Sequence, residues 1–272
     1  MGGRTMNLEV PFSLRVAAEP AFFSQAPRRI GGVDVISVAA DEARRILMAR
    51  IEAKIFTKVG FLNAHCVNLA FESETYRRSL EDFVILPDGI GIDIASQLLY
   101  GTPFCENLNG TDFVPYLLAE TGRPLSVALL GAEPGVADEA CARLVKACPQ
   151  HRFAVVSHGY FQEGLQTEVV LSTLRTLKPD IAIVALGVPR QELWIAEHLS
   201  GEECTIAIGV GALLDFVAGK VSRAPALVRM MRMEWIWRMM IEPRRLWKRY
   251  ILGNPTFLAR MIALWWRKDR GG

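Results

Sequence analysis

Most of the short patterns that announce a reaction are missing from this 272-residue chain. Its five cysteines (Cys66, Cys105, Cys141, Cys148, Cys204) are scattered, odd in number and without CxxC spacing. That excludes a disulfide framework and suits a reducing compartment in which thiols fill core positions. There is no HExxH, no Cys/His cluster and no EF-hand spacing, so a structural metal is not expected. No Asp-x-Asp pair occurs, which argues against a carboxylate-held Mg²⁺ or Mn²⁺ on a diphosphate. No GxGxxG follows the first strand, and GxSxG and P-loop patterns are absent. Long apolar runs are lacking too. The longest uncharged one near the C-terminus, residues 250–259, contains Gly, Asn and Pro, stops at Arg260 and is too short to span a bilayer. The first twenty residues have no compact apolar core with a small-residue cleavage site, so no signal peptide is expected. Met6 stands where a myristoylation signal wants Ser or Thr.

What is present is a polarised charge distribution. Between Lys220 and Arg270 there are thirteen Lys or Arg against three Asp or Glu, about +10. The rest of the chain, with 18 basic and 26 acidic residues, carries about −8. Five of the six tryptophans, Trp235, Trp237, Trp247, Trp265 and Trp266, fall in the same basic stretch. Cations interleaved with Trp, Leu, Ile and Met suit a surface that meets anionic headgroups and sinks apolar side chains among them. The plainer alternative is an amphipathic helix pair docked on its own domain. Nucleic acid is not expected as a partner, because the interleaved apolar residues fit a bilayer better than a phosphate track.

Residues 1–28 carry no clear periodicity and read as a lead-in. From residue 29 to 220 short apolar runs alternate with helical spacing. Strands are expected at 33–38, 59–63, 83–87, 125–131, 153–157, 180–187 and 204–209. Helices are expected at 41–54, 65–82, 91–101, 110–122, 132–147, 168–178 and 189–200. Strands that are apolar almost throughout imply a mostly parallel sheet covered on both faces. The fold class is therefore α/β, doubly wound and Rossmann-like, with a basic helical appendage over 221–272.

Ligands of such sheets bind beyond the carboxyl ends of the strands. That rule selects Asn63, Ala64 and His65; Asp88-Gly89; Gly131 and Ala132; His158, Gly159 and Tyr160; Gly187 and 189–192; Gly211 and Asp215. Glycines at several strand ends would let backbone N–H groups approach a phosphate. Asp88, in a Pro-Asp-Gly turn at the end of a buried strand, has the fixed position and partial desolvation of a general base. The same position also suits an Asx turn or a helix cap. Asp93, inside the next helix, is the weaker candidate. His65 and His158 read first as packing or helix-start residues.

The motifs PDGIG (87–91), NGTDF (109–113), LLGAEPGV (129–136), GYF (159–161), ALGVPRQELW (185–194), GVGALLDFVAG (209–219), SRAP (222–225) and EWIWRMMIEPRRLWKRY (234–250) occur in this order. Together they resemble the WecG/TagA/CpsF family, glycosyltransferase family 26, over about four-fifths of the chain. The resemblance implies an inverting glycosyltransferase that needs no metal or other cofactor. Such an enzyme moves a sugar from a UDP-sugar to an undecaprenyl-diphosphate-linked sugar, from the cytoplasm, as a peripheral protein on the inner face of the plasma membrane. By the match Asp88 is the base. Tyr160 stacks on uracil, Gln191 sits at the nucleotide and Asp215 holds the base or ribose. Asn63, Asn107, Thr111, Asp112, Gly131, Arg190 and Gly211 complete the nucleotide-sugar site. Arg238, Arg244, Arg245 and Lys248 close over diphosphate and lipid. Two positions depart from the family pattern. Phe61 stands where many members have Thr, and Asn107 lies where many have Arg. Both touch the expected sugar region, and they favour glucose from UDP-glucose in exopolysaccharide synthesis, with N-acetylmannosamine or its uronic acid as the alternative donor.

The expected chemistry is one in-line displacement. Leaving-group charge is met by backbone N–H groups near Gly131 and Gly211 and by tail arginines. Removing everything after Val221 is expected to leave a folded core. Two readings of other classes compete. A nicotinamide-dependent oxidoreductase would reveal itself by binding NADH. A non-catalytic membrane scaffold would transfer no sugar.

Overall fold

The computed structural model describes residues 25–270 apart from Glu163, 226–227 and 229–233; of Arg245, Asp269 and Arg270 only the backbone is described. Its centre is a six-stranded sheet of β3 (Thr57–Leu62), β4 (Phe83–Pro87), β5 (Ser126–Gly131), β6 (Arg152–Ser157), β7 (Ile181–Ala185) and β8 (Ile206–Gly209). The spatial order is β4-β3-β8-β7-β5-β6, and every pairing is parallel. The expected strands are in place because each is an apolar run between turn residues, as with FVILP at 83–87.

Alternation along each strand feeds two cores. Val84 and Leu86 join one apolar cluster, Phe83 and Ile85 the other. On the first face lie α1 (Ala40–Glu52), α5 (Gly110–Ala119), α6 (Val136–Ala147) and α9 (Leu213–Val217). On the second lie α2 (Ala64–Glu72), α3 (Glu74–Ser79), α4 (Ile90–Tyr100), α7 (Leu165–Leu177) and α8 (Arg190–His198). Neighbouring strands β3 and β8 are therefore followed by helices on opposite faces. Their carboxyl ends flank a crevice, the switch point where such sheets bind ligands.

Two elements differ from the sequence reading. Residues 33–38 do not enter the sheet as a strand: β2 (Val33–Val35) pairs antiparallel with β1 (Arg28–Ile30). Gly31 and Gly32, both at positive φ, turn the chain back on itself. Arg28, expected to end a loose lead-in, is anchored by donating to Ser96 Oγ at 2.6 Å and to the carbonyl of Thr102 at 2.7 Å. The single helix expected over 65–82 is broken at Ser73, whose hydroxyl accepts from the Tyr76 N–H at 3.2 Å and starts α3.

The basic C-terminal segment forms α10 (Glu234–Ile241), α11 (Pro243–Trp247), a π-helical turn (Lys248–Leu252) and α12 (Gly253–Arg270). Helix α12 packs on α2 and α4, and Phe257 and Met261 lie inside the second core cluster. Burying those two side chains contributes about 1.5–3 kcal/mol each. Polar ties accompany the packing. Arg260 donates to the Asn68 carbonyl at 3.0 Å and pairs with Glu72 at 3.1 Å, and Lys268 donates to the Leu99 carbonyl at 2.7 Å. Several tail cations thus hold the helix to the body. A flanking face carries Leu258, Ile262 and Trp265, all exposed and spaced four and three residues apart. Among the described residues no helix is long and apolar enough to cross a membrane.

Candidate active site

Asp88 ends β4 at the crevice. Its own N–H donates to the Leu62 carbonyl at 2.8 Å, and its Oδ2 accepts from Asn63 Nδ2 at 3.0 Å. Asn63 is held in turn because its Oδ1 caps α2, accepting from the N–H groups of His65 and Cys66 at 3.1 Å. Gly89 sits at φ +90, where a side chain would be strained, and its N–H donates to Asn107 Oδ1 at 2.7 Å. The residue before α4 is Gly89 and no side chain caps that helix, so Asp88 is not spent as a helix cap. Desolvation by the surrounding protein pushes the pKa of the partly buried Asp88 above the usual carboxylate range, against opposing pulls from the Asn63 hydrogen bond and the charges of Arg249 and Arg238. His65 lines the same space, but burial, with Arg249 nearby, holds its pKa down to about 4, so it is a poor base at neutral pH. His158 is exposed, and its Nδ1 accepts from the Tyr160 N–H at 3.1 Å; Asp93 lines neither cavity described here.

Two cavities meet at Asp88. The larger, about 1050 Å³, runs along the strand ends. Asn63, Thr111, Tyr160, Arg190 and Gln191 line it, as do Gly211, Asp215, Arg238 and Lys248. The smaller, about 540 Å³, lies between the Asp88 turn and the tail, with Asn107 and Asp112 in its wall. Asn63, His65, Asp88, Thr111, Arg238 and Arg249 belong to both.

Several expected ligand residues have structural duties. Gln191 is buried; its Oε1 accepts from the Gly211 N–H at 2.9 Å and its Nε2 donates to Glu192 Oε1 at 2.7 Å. The Gly211 N–H is therefore already satisfied within the protein. Glu192, also buried, has its pKa pushed up to about 7 by desolvation. Arg190 ties down the loop after β6, donating to the carbonyl of Gly159 at 2.8 Å. Asp112 accepts from Asn109 Nδ2 at 2.8 Å and pairs with Arg223 at 2.7 Å, which fastens the start of the tail to α5.

Gly131 lines neither cavity. It is glycine because a Cβ there would lie 2.4 Å from the Ala185 carbonyl oxygen at φ +127. The backbone N–H that follows it, of Ala132, donates to the same oxygen at 2.9 Å and is likewise satisfied within the protein. Arg244 is exposed and lines neither cavity, and the side chain of Arg245 lies outside the described residues. The tail cation that reaches both cavities beside Arg238 is Arg249. The motif match names its neighbours Arg244, Arg245 and Lys248 and passes over Arg249, which lies in the π-helical turn. The Nε atoms of Arg238 and Arg249 are buried and make no hydrogen bond among the described residues. Glu234 is a second addition, a half-buried carboxylate in the smaller cavity whose pKa is raised by burial. Only its place in the EWIWR motif hinted at it. Among the described residues no group of three His, Cys, Asp or Glu could hold a metal ion.

A doubly wound sheet with a carboxylate, two arginines and two joined cavities at its switch point has the make-up of a ligand-binding site for a polar, charged molecule. The chain belongs to the WecG/TagA/CpsF glycosyltransferase family, whose profile it matches over residues 28–271. It is 31% identical over 239 residues to an N-acetylglucosaminyldiphosphoundecaprenol N-acetyl-beta-D-mannosaminyltransferase of Staphylococcus aureus (strain NCTC 8325 / PS 47), covering 84% of this chain and 91% of the relative. A transferase of the same name from Bacillus spizizenii (strain ATCC 23059 / NRRL B-14472 / W23) is 32% identical over 185 residues, 68% of this chain and 69% of the relative. The protein is a hexosyl-type glycosyltransferase. The relatives' names speak for the N-acetylmannosaminyl alternative and lend no support to glucose from UDP-glucose.

Proposed function

We propose that the enzyme transfers N-acetylmannosamine from its UDP donor to N-acetylglucosaminyl-diphosphate-undecaprenol, with inversion and without a metal. The single observation that carries the mechanism is Asp88, with its raised proton affinity, standing where the two cavities join beside Arg238 and Arg249. The donor occupies the larger cavity and the acceptor reaches Asp88 from the tail side. Asp88 takes the proton of the acceptor hydroxyl. That oxygen forms a bond to the anomeric carbon while the bond from this carbon to the UDP oxygen breaks, and UDP leaves with the electron pair. The two guanidinium groups offset the charge that develops on the diphosphate.

Contact with the membrane comes through the exposed face of α12 and the cations around it, which suits a lipid-linked acceptor. The test is sugar transfer from a panel of UDP-sugars to N-acetylglucosaminyl-diphosphate lipid and to glucosyl-diphosphate lipid, with and without EDTA. Transfer of N-acetylmannosamine to the first acceptor, indifferent to EDTA, is expected. Transfer of glucose to the second would restore the glucosyl reading.

A further inference from the structure

The smaller cavity has one wall unlike anything in the larger. Glu234 and Trp235 come from α10 and Tyr250 from the π-helical turn. The two rings lie 5.7 Å apart between centroids at 50°, which makes an aromatic corner rather than a flat stack. The carboxylate beside them is half-buried, close enough to Asp88 and Asp112 to feel their charges and flanked by the positive charges of Arg223 and Arg238. Further out the wall turns apolar: Ile94 and Leu258 line the cavity and are also 45% and 41% exposed. The wall of this cavity therefore combines Asp88 and two arginines, an aromatic and carboxylate corner, and exposed apolar side chains, of which Leu258 also belongs to the outward face of α12.

We propose that this corner is the seat of the acceptor's sugar, with Trp235 and Tyr250 covering the apolar face of a pyranose and the Glu234 carboxylate accepting one of its hydroxyls. The assignment rests on the transferase reading and deepens it. Pyranose rings carry axial C–H faces that pack on aromatic π-surfaces, while their hydroxyls need acceptors at the edge. A carboxylate accepts such bonds more strongly than a neutral group. The same wall supplies a surface for each part of a lipid-linked glycosyl diphosphate. The sugar hydroxyl faces Asp88, the diphosphate lies within reach of the arginines, and the isoprenoid leaves over Ile94 and Leu258. The larger cavity, with Tyr160 and Asp215 in its wall, has room for the nucleotide.

The experiment uses the full-length enzyme with a short-chain N-acetylglucosaminyl-diphosphate lipid, varying donor and acceptor separately. Trp235→Ala and Glu234→Gln are each expected to raise the acceptor KM roughly tenfold or more, the worth of one charged hydrogen bond or aromatic contact. The UDP affinity measured by calorimetry and the donor KM should stay within about twofold. Trp235→Phe should restore most of the loss. Inhibition by the same lipid diphosphate lacking its sugar should be unchanged in all three variants. Should Trp235→Ala not fold, the near-isosteric Glu234→Gln variant decides. An unchanged acceptor KM in Glu234→Gln, or an equal loss of UDP affinity, overturns the assignment. A wild-type enzyme that transfers no sugar from any UDP-sugar overturns the transferase reading first, and the assignment with it.

Discussion

Asp88 answers opposing demands. Burial that makes it a better base also makes its ionised form costly to the fold. Because its pKa is higher in the folded than in the unfolded chain, the stability that this group contributes falls as pH rises through that interval. Asp88→Asn keeps an acceptor oxygen for Asn63 Nδ2 and removes the buried charge. We expect it to lose roughly 10²–10⁴ in kcat, to keep its affinity for UDP, and to melt no lower than wild type at neutral pH. A variant that turns over at near-normal rate would remove Asp88 from the chemistry. In the wild type, kcat/KM should begin to fall on acidification at a higher pH than an ordinary carboxylate would give. A profile flat down to the ordinary carboxylate range would contradict that. Gln191 illustrates a different role. Gln191→Ala strands the Gly211 N–H and one oxygen of Glu192, and should cost about 1–3 kcal/mol of stability with weaker UDP binding, read by melting and calorimetry. An unaltered melting temperature would mean that water replaces both hydrogen bonds.

At the scale of elements, the sequence was informative wherever one local signal decided the outcome. The apolar run at 83–87 is a strand over those residues, and Gly101 ends α4 in the left-handed conformation where a helix stop was expected. Non-local facts were not legible. Nothing in residues 57–62 and 206–209 says that these strands are neighbours, yet their pairing creates the crevice. The hairpin of β1 and β2 was hidden because an apolar hexapeptide reads alike in either sheet. Of the site, the Asp-Gly turn, Asn63 and Arg238 could be read from the motifs. Arg249 could not, since the match named its neighbours and only the packing of the tail shows which cations reach both cavities. The strand-end rule put Gly131 and Gly211 near a phosphate; one is constrained by packing against Ala185 and the N–H of the other already donates to Gln191. Helix α12 is the element most open to test. Phe257→Ala should destabilise the whole enzyme by about 3–5 kcal/mol, because this ring lies in the same core cluster as the sheet. Denaturant unfolding would settle it, and a loss under about 1 kcal/mol would indicate that the helix docks only loosely.

The whole molecule is more unified than its charge distribution suggests. The tail was expected to be removable after Val221 with a folded core left behind. Instead α12 closes one side of the second core, and such a truncation would uncover apolar surface of α2 and α4 as well as remove Arg238 and Arg249. We expect the truncated chain to melt well below the intact protein, so its inactivity alone would say little about catalysis. Point substitutions on the outer face of α12 avoid that confusion, because Trp266 and Ile262 are exposed and their replacement leaves the core intact.

Helix α12 faces two ways at once, with Phe257 and Met261 turned inward and Leu258, Ile262 and Trp265 turned outward. On the proposed reading, one rigid rod ties the reaction centre to a two-dimensional world. Turnover would then track the mole fraction of acceptor within the bilayer plane instead of its amount per volume. Adding inert phospholipid at constant total acceptor should slow the enzyme by surface dilution, and a rate indifferent to that addition would mean that it meets its substrate from bulk water.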